Sequence, residues 1–166
     1  MIATDGAGSG SEIFGHRPDK KREAKVGRPW NETQDDLNAE NSAKILIEGA
    51  WGVEAIKLQP MLYGFDWAIF QNDKLVAVAE FKRRTHKYGL YKTLLISSGK
   101  IANGMSYSRE YDVPFILIVQ WEDDLPRWLV IKKPPRPSIG FNSRGQDGDR
   151  EPVCHFDIND FRLINE

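Results

Sequence analysis

The chain has 166 residues, a formal net charge of -1 and 40% hydrophobic residues. This length and composition fit one globular domain and are short for two. The single cysteine, Cys154, excludes an internal disulfide framework and argues against a cysteine-based zinc site. No run approaches the roughly 20 apolar residues of a membrane span, so we expect a cytoplasmic protein with no membrane partner.

The charges are unevenly distributed along the chain. Residues 1–30 are rich in glycine, serine and charge, which predicts a flexible arm before a single domain at 31–166. The segment 31–54 is acidic, whereas 81–109 holds seven Lys or Arg, no Asp or Glu, and three interleaved tyrosines. Such a segment is typical of a phosphate-binding face, but a solvated surface compensated by acidic neighbours is an equal alternative.

The first predicted element is a helix at 31–52. Asn31 or Thr33 can cap its start, acidic residues occupy its first turn, and Gly49 or Gly52 can end it. Its apolar face is expected to carry four residues: Leu37, Ala43, Ile47 and Ala50.

Three short strand-like runs follow the helix: 53–59, 65–71 and 74–82. Asn72 and Asp73 separate the last two runs and form a turn signal, so we predict an antiparallel meander. Around a simple two-residue turn, Asp66 faces about Ala79, with Glu80 as its diagonal neighbour. A one-residue bulge would place Asp66 directly opposite Glu80.

The remaining elements are a helix and further strands. The pattern predicts a basic loop at 83–92, a helix from about Ser97, a strand at 113–121 that is buried on both faces, and its hairpin partner at 127–133. Residues 134–152 are rich in Pro and Gly and predict a long surface loop. The C-terminal segment predicts a strand that runs into a short helical turn capped by Asp157.

Two carboxylates and a lysine interrupt the apolar strands. Glu80 and Lys82 project from the same face, together with Val76 and Val78, because alternate strand residues share a face. Asp66 lies one hairpin strand back. Two carboxylates aimed at one point repel, and Mg²⁺ or Mn²⁺ would relieve that repulsion, while the lysine could orient or deprotonate a water. The pattern indicates metal-dependent phosphodiester hydrolysis, with a structural ion pair as the alternative.

Asp66, thirteen further residues and then Glu80-Phe81-Lys82 resemble the motif of the PD-(D/E)XK nuclease superfamily. The layout of 65–84 is most similar to that of archaeal Holliday-junction resolvases and small phage endonucleases. The resemblance implies a restriction-endonuclease-like α/β fold, with a central mixed sheet of four to five strands flanked by helices in the order αβββαβ. It also implies that Asp66 and Glu80 bind metal and that Lys82 serves the nucleophilic water.

Many members of the superfamily add a glutamate from the first helix. Here that position falls to Glu48, with Glu40 as the second choice, although Glu40, Lys44 and Glu48 could instead form a salt-bridged helix face. Phe65 stands where the family motif has proline. The absence of a Gln-x-x-x-Tyr motif on the second helix argues against a processive exonuclease.

Five basic residues near the predicted site are candidates for phosphate contacts: Arg83, Arg84, Lys87, Lys92 and Lys100. Lys100 could equally be an ordinary solvated lysine, and the three histidines receive no metal role. The leading hypothesis is a homodimeric, Mg²⁺- or Mn²⁺-dependent DNA endonuclease, with branched DNA as one candidate substrate and RNA left open. The alternative is a non-catalytic nucleic-acid-binding or assembly subunit that keeps the fold.

Overall fold

The computed structural model describes residues 33–58, 64–122, 124–141 and 150–166. The predicted arm at 1–30 and the alternative helix cap Asn31 lie outside the described residues. So do residues 142–149 of the predicted Pro/Gly-rich loop.

The first helix, α1, spans Gln34–Trp51 and begins at a capping box. The Thr33 hydroxyl accepts a hydrogen bond from the Asp36 amide at 3.2 Å, and the Asp36 carboxylate accepts one from the Thr33 amide at 3.1 Å. These two bonds satisfy backbone donors that a helix start leaves unpaired. Gly52 ends the helix with a φ of 63°, a left-handed conformation that favours glycine.

The face that α1 buries differs from the predicted one. Ala43 and Ile47 are buried as predicted, but Leu37 and Ala50 are exposed, and the third buried residue is Glu40. Glu40, Ala43 and Ile47 follow i, i+3, i+7 spacing and so share one face. The prediction overlooked Glu40 because a carboxylate is seldom buried unless its oxygens find partners.

Within the described ranges, nine strands and a second helix follow α1. In chain order they are β1 (Glu54–Lys57), β2 (Trp67–Gln71), β3 (Lys74–Lys87), β4 (Thr93–Ser97), α2 (Ser98–Tyr111), β5 (Phe115–Glu122), β6 (Arg127–Val130), β7 (Ser138–Phe141), β8 (Arg150–Asp157) and β9 (Arg162–Leu163), with a 3₁₀ turn at Ile158–Asp160 between the last two. The Asp157 side chain caps this turn by accepting a hydrogen bond from the Asn159 amide, as the sequence predicts.

Six of the strands form one mixed sheet in the order β1-β2-β3-β5-β6-β9. The β3 and β5 strands are parallel, and the other neighbouring pairs are antiparallel. A mixed sheet with two flanking helices is the α/β fold that the family resemblance implies. The sheet has more strands than the predicted four to five, because the two-residue strand β9 adds an edge beside β6.

A second sheet of three strands has the order β4-β8-β7 and is antiparallel throughout. It overturns two local predictions. The basic segment continues β3 as far as Lys87 and then enters β4, so the loop is much shorter than predicted. The predicted Pro-rich surface loop contains β7, whose backbone pairs with β8; such a strand tolerates nearby prolines because it lies at a sheet edge.

Hydrophobic residues pack on both faces of the six-stranded sheet. The α1-side cluster includes Ala43, Ile47, Trp67, Ala77, Ala79 and Phe81, and the α2-side cluster includes Phe65, Val78, Ile101, Phe115, Leu117 and Val119. Successive residues of β3 therefore alternate between the two clusters. Glu80 and Lys82 fall on the α2 side.

The β2–β3 pairing contains a one-residue irregularity. Ile69 pairs with Ala77 but Phe70 pairs with Leu75, which leaves Val76 without a partner in the register. Such a bulge reverses the alternation of side chains. Val76 accordingly packs with the α1-side cluster, so the prediction that it shares the face of Glu80 was wrong.

Candidate active site

A tight hairpin brings Asp66 alongside Glu80. Asn72 and Asp73 adopt left-handed conformations with φ of 51° and 61°, as a two-residue hairpin turn requires. Beyond the bulge the register pairs Trp67 with Ala79, and the Asp66 amide donates to the Ala79 carbonyl at 3.0 Å. The bulge that the sequence left open is therefore present, and it moves Asp66 level with Glu80.

The Asp66 carboxylate is anchored to the neighbouring strand. Its Oδ2 accepts a hydrogen bond from the Phe81 amide at 2.9 Å. The other oxygen, Oδ1, lies 3.4 Å from Lys100 Nζ. One oxygen of Asp66 is thus held by the β3 backbone, and the other points to a cation.

Glu80 is fully buried, with 0% of the residue exposed. Its Oε2 accepts a hydrogen bond from Lys100 Nζ at 3.1 Å. Its Oε1 lies 2.5 Å from Lys82 Nζ, but within the described part of the chain this oxygen has no partner in hydrogen-bonding orientation. Burial raises the pKa of Glu80; Lys82 and Lys100 oppose this effect and Asp66 adds to it, so the pKa lies above its usual value.

Lys100 is the residue whose position the sequence least anticipated. Burial alone would lower its pKa, but the Glu80 and Asp66 carboxylates outweigh burial, and the pKa is raised. A signal for this position exists in the topology. Because β5 runs parallel to β3, the segment between them, which includes α2, must cross back over the sheet, and Lys100 on α2 reaches Glu80 midway along β3.

The structure does not bring Glu48 to Asp66 and Glu80. Glu48 Oε1 accepts a hydrogen bond from the Ala55 amide at 2.9 Å and lies 3.6 Å from Lys44 Nζ. These contacts hold it at the start of β1. Among the described residues, no three His, Cys, Asp or Glu side chains are grouped so that they could hold one metal ion. Two carboxylates, rather than three, meet at the candidate site.

Glu40, the second choice from α1, is also engaged elsewhere. It accepts hydrogen bonds from Trp67 Nε1 at 2.7 Å and from Lys57 Nζ at 2.6 Å. Trp67 directly follows Asp66 but stacks on Phe81, on the α1 side of the sheet. Glu40 therefore supports the strand that carries Asp66 and faces away from the Glu80 carboxylate.

Apart from Lys100, the predicted phosphate-contacting residues fall into two groups. Arg83 Nη1 lies 3.1 Å from Asp36 Oδ1, and Arg84 donates to the Arg83 and Leu95 carbonyls at 3.2 Å and 3.0 Å. Burial lowers the pKa of Arg84, an effect that Glu80 opposes. Lys87 and Lys92, by contrast, are exposed. These two lysines are the members of the set that are most open to a ligand.

The donor set fits a divalent cation. Asp66 Oδ1 and Glu80 Oε2 converge on a single ammonium group, which shows that both oxygens can face one positive charge. Both are hard oxygen donors of the kind that Mg²⁺ and Mn²⁺ prefer. Mg²⁺ keeps several waters and is usually held by one or two carboxylates plus substrate phosphate, so two carboxylates are sufficient.

The sequence and the fold both match known nucleases. Residues 26–164 match the model of a family described as phage putative PDDEXK endonuclease. Among solved structures, the chain is similar to Hjc, a Holliday junction resolvase from the archaeal hyperthermophile Archaeoglobus fulgidus, with a TM-score of 0.50 and 12% identity over 73% of this chain and 82% of that chain. This likeness supports the restriction-endonuclease-like fold.

Two further observations are negative. No curated protein matches the chain. In the described residues, neither helix has the length and apolar character needed to cross a membrane. The family match, by contrast, covers most of the sequence, and it confirms the resemblance to the PD-(D/E)XK superfamily. The chain belongs to the family of phage putative PDDEXK endonucleases, and hence to a family of nucleases.

Proposed function

We propose that the protein is a Mg²⁺- or Mn²⁺-dependent deoxyribonuclease that cleaves within DNA strands. The observation that carries the proposal is the convergence of Asp66 Oδ1 and Glu80 Oε2 on one cationic group, beside the Lys82 ammonium. Both oxygens of Glu80 face an ammonium group, Oε2 that of Lys100 and Oε1 that of Lys82, as expected of a carboxylate that can bind a cation.

Each residue of the proposed site has a separate task. Asp66 and Glu80 would hold the metal, which when bound polarises the scissile phosphate and activates a water. The Phe81 amide fixes Asp66, so the ligand is already oriented. The Lys82 side chain is 30% exposed, so its ammonium can reach both Glu80 and an incoming water. Glu48 is left out of the ligand set because Ala55 and Lys44 engage its carboxylate.

Exposed lysines beside the site are the proposed contacts to the nucleic-acid backbone. Lys87 ends β3 and Lys92 precedes β4, and both are exposed. Contacts of this kind position a substrate but do not read its sequence. Four-way DNA is the first branched substrate to test, because the similar archaeal protein is a Holliday junction resolvase. A junction enzyme needs two active sites across a dimer, so we propose a homodimer.

Cleavage assays on a panel of linear, flapped, single-stranded and four-way DNA, with RNA included, test this function. With Mg²⁺, Glu80→Ala and Lys82→Ala should each lower the cleavage rate by a factor of about 100 or more. Lys74→Ala and Glu54→Ala are matched controls, because both residues are exposed and lie on strands of the same sheet. Undiminished cleavage by the Glu80 and Lys82 variants would overturn the proposal.

The same panel separates the enzyme from the alternative of a non-catalytic subunit. Such a subunit would bind DNA without cutting it in Mg²⁺ or Mn²⁺. Its complex would then survive metal addition in a gel-shift assay, and its substrate would stay intact. Size-exclusion chromatography with light scattering tests the proposed dimer independently of activity.

A further inference from the structure

The four carboxylate oxygens of Asp66 and Glu80 face different neighbours. Asp66 Oδ2 accepts from the Phe81 amide, and Glu80 Oε1 lies against Lys82 Nζ. The remaining two, Asp66 Oδ1 and Glu80 Oε2, both face Lys100 Nζ, at 3.4 Å and 3.1 Å. The oxygens best placed to share a metal are therefore the two that hold Lys100.

The position of Lys100 is imposed by the way α2 docks. Lys100, Asn103 and Tyr107 share one helix face by their i, i+3, i+7 spacing. The Asn103 side chain covers Gly64 so closely that a Cβ there would clash, and the Tyr107 ring meets the Phe65 ring at 4.8 Å. One face of α2 thus contacts three consecutive residues that end at Asp66. This packing places the Lys100 ammonium beside the carboxylates of Asp66 and Glu80.

A metal ion and the Lys100 ammonium would repel each other if both contacted Asp66 Oδ1 and Glu80 Oε2. Mg²⁺ binds oxygen ligands at about 2.0–2.1 Å, which would place it within about 4 Å of an ammonium held by the same two atoms. Like charges at that separation in a partly buried site repel strongly. A divalent cation held by both carboxylates would therefore compete with Lys100 for these two oxygens.

We propose that Lys100 is an internal counter-cation, which neutralises the Asp66–Glu80 pair in the free protein and is displaced when the metal binds. The inference rests on the proposed metal-dependent function and deepens it. A displaced ammonium needs another anion, and the phosphodiester of the substrate supplies one beside the same carboxylates. Metal and DNA therefore bind cooperatively, and the free protein binds the metal weakly.

Metal binding measured by calorimetry tests this directly. Ca²⁺ serves as the probe because it binds oxygen ligands. Removing the charge with Lys100→Met or Lys100→Gln should tighten Ca²⁺ binding without DNA on the order of tenfold, within the range of typical coupling energies. Lys100→Arg keeps a cation and should bind Ca²⁺ as weakly as the unmodified protein. Lys74→Met controls for loss of an exposed lysine charge.

Adding DNA completes the test. An unmodified duplex, checked on a gel to stay intact in Ca²⁺, should tighten Ca²⁺ binding to the unmodified protein and do so much less for Lys100→Met. By linkage, Ca²⁺ should tighten DNA binding by the same factor. Thermal melting in EDTA gives a readout without metal, and both uncharged variants should melt below the Lys100→Arg variant, because the carboxylates lose their counter-cation.

The outcomes distinguish failure of this inference from failure of the proposed function. If the unmodified protein and Lys100→Met bind Ca²⁺ equally well and both melt cooperatively, Lys100 is not a competitor, while the metal site stands. If neither binds Ca²⁺ with or without DNA, both proposals fail. Binding by Lys100→Met and Lys100→Gln alone, with none by the unmodified protein, would support the inference in its strongest form.

Discussion

Two buried carboxylates lie on opposite faces of the same sheet, and their surroundings differ. Among the described residues, Glu40 and Glu80 are the charged side chains that are buried, at 7% and 0% exposure. Both oxygens of Glu40 accept hydrogen bonds, from Trp67 and Lys57. The oxygens of Glu80 face the ammonium groups of Lys100 and Lys82, and its pKa is raised.

Burial of a charge therefore does not by itself identify a functional group. A buried carboxylate whose lone pairs are satisfied stabilises the fold, as Glu40 does by tying α1 to β1 and β2. The burial of Glu80 is less fully compensated, because its pKa stays raised despite Lys82 and Lys100, and such perturbed groups are concentrated at functional sites. We therefore assign a structural role to Glu40, whereas the surroundings of Glu80 fit the ligand role proposed for it.

We expect the greatest loss of stability when α2, the helix that carries Lys100, is displaced from the sheet. Gly104 lies on α2 against the Phe115 ring, and a Cβ there would clash with that ring. Gly104→Ala should push α2 off the sheet and lower the free energy of unfolding by about 3 kcal/mol, at the upper end of overpacking costs. Urea denaturation in EDTA measures the change.

Gly99 is the matched control for Gly104, because it lies in the same helix and a methyl group added there would make only ordinary contacts. Gly99→Ala should leave stability unchanged or raise it by up to about 1 kcal/mol through helix propensity. Equal destabilisation by both substitutions would mean that α2 does not depend on the close contact with Phe115.

A somewhat smaller loss of stability is expected from a substitution of Glu40 on α1. Glu40→Gln keeps the shape of the side chain, but its amide nitrogen would face another donor, from Trp67 or Lys57. We expect the free energy of unfolding to fall by about 2 kcal/mol, the usual worth of a hydrogen bond to a charged group. If Glu40→Gln is as stable as the unmodified protein in urea denaturation, the structural role assigned to Glu40 is wrong.

The sequence predicts the motif better than the register that assembles it. Alternation within 74–82 and the Asn72-Asp73 turn were sufficient to put Glu80 and Lys82 on one face and Asp66 beside them. The bulge at Val76 depends on how β2 and β3 pack against the two clusters, and side-chain alternation alone cannot fix it. The prediction that Val76 shares the face of Glu80 was therefore wrong, whereas the predicted proximity of Asp66 and Glu80 is present in the structure.

Long-range placement accounts for the other differences. The pattern of α1 does not reveal that Glu40 meets Trp67 and Lys57, because these partners lie 27 and 17 residues away. Likewise, the sequence leaves open whether Lys100 contacts phosphate or is a solvated helix lysine, and its contacts with Asp66 and Glu80 depend on the long-range crossover between β3 and β5. Strand β7 was missed because its Pro-rich surroundings suggest a loop, and its pairing with β8 is again non-local.

A smaller effect is expected in the pH dependence of stability, through the buried carboxylate of Glu80. Because the folded-state pKa of Glu80 is raised above its ordinary value of 4.5, its contribution to stability is full below that value and is lost as pH rises through the folded-state pKa. In EDTA, Glu80→Gln should therefore be more stable than the unmodified protein at pH 7, and the difference should shrink towards pH 4.5.

Thermal melts of the Glu80→Gln variant and the unmodified protein from pH 4.5 to 7 check this expectation. Glu40→Gln is the control, because both oxygens of Glu40 accept hydrogen bonds and this substitution is expected to lower stability. A Glu80→Gln variant that is less stable at pH 7 would show that Lys82 and Lys100 more than offset the burial of Glu80.

The smallest effect on stability is expected at two adjacent arginines of β3, Arg83 and Arg84, which make different contacts. Arg83 pairs with Asp36 at the start of α1, and both side chains are about a third exposed, at 32% and 39%. Arg83→Ala should lower the free energy of unfolding by less than about 1 kcal/mol, and added salt should reduce the loss, because exposed ion pairs are weak and screened. Arg84→Ala should cost more and respond less to salt, because its guanidinium binds the Leu95 carbonyl. Urea denaturation at low and high salt compares them, and a large, salt-insensitive loss for Arg83→Ala would contradict the exposed-pair description.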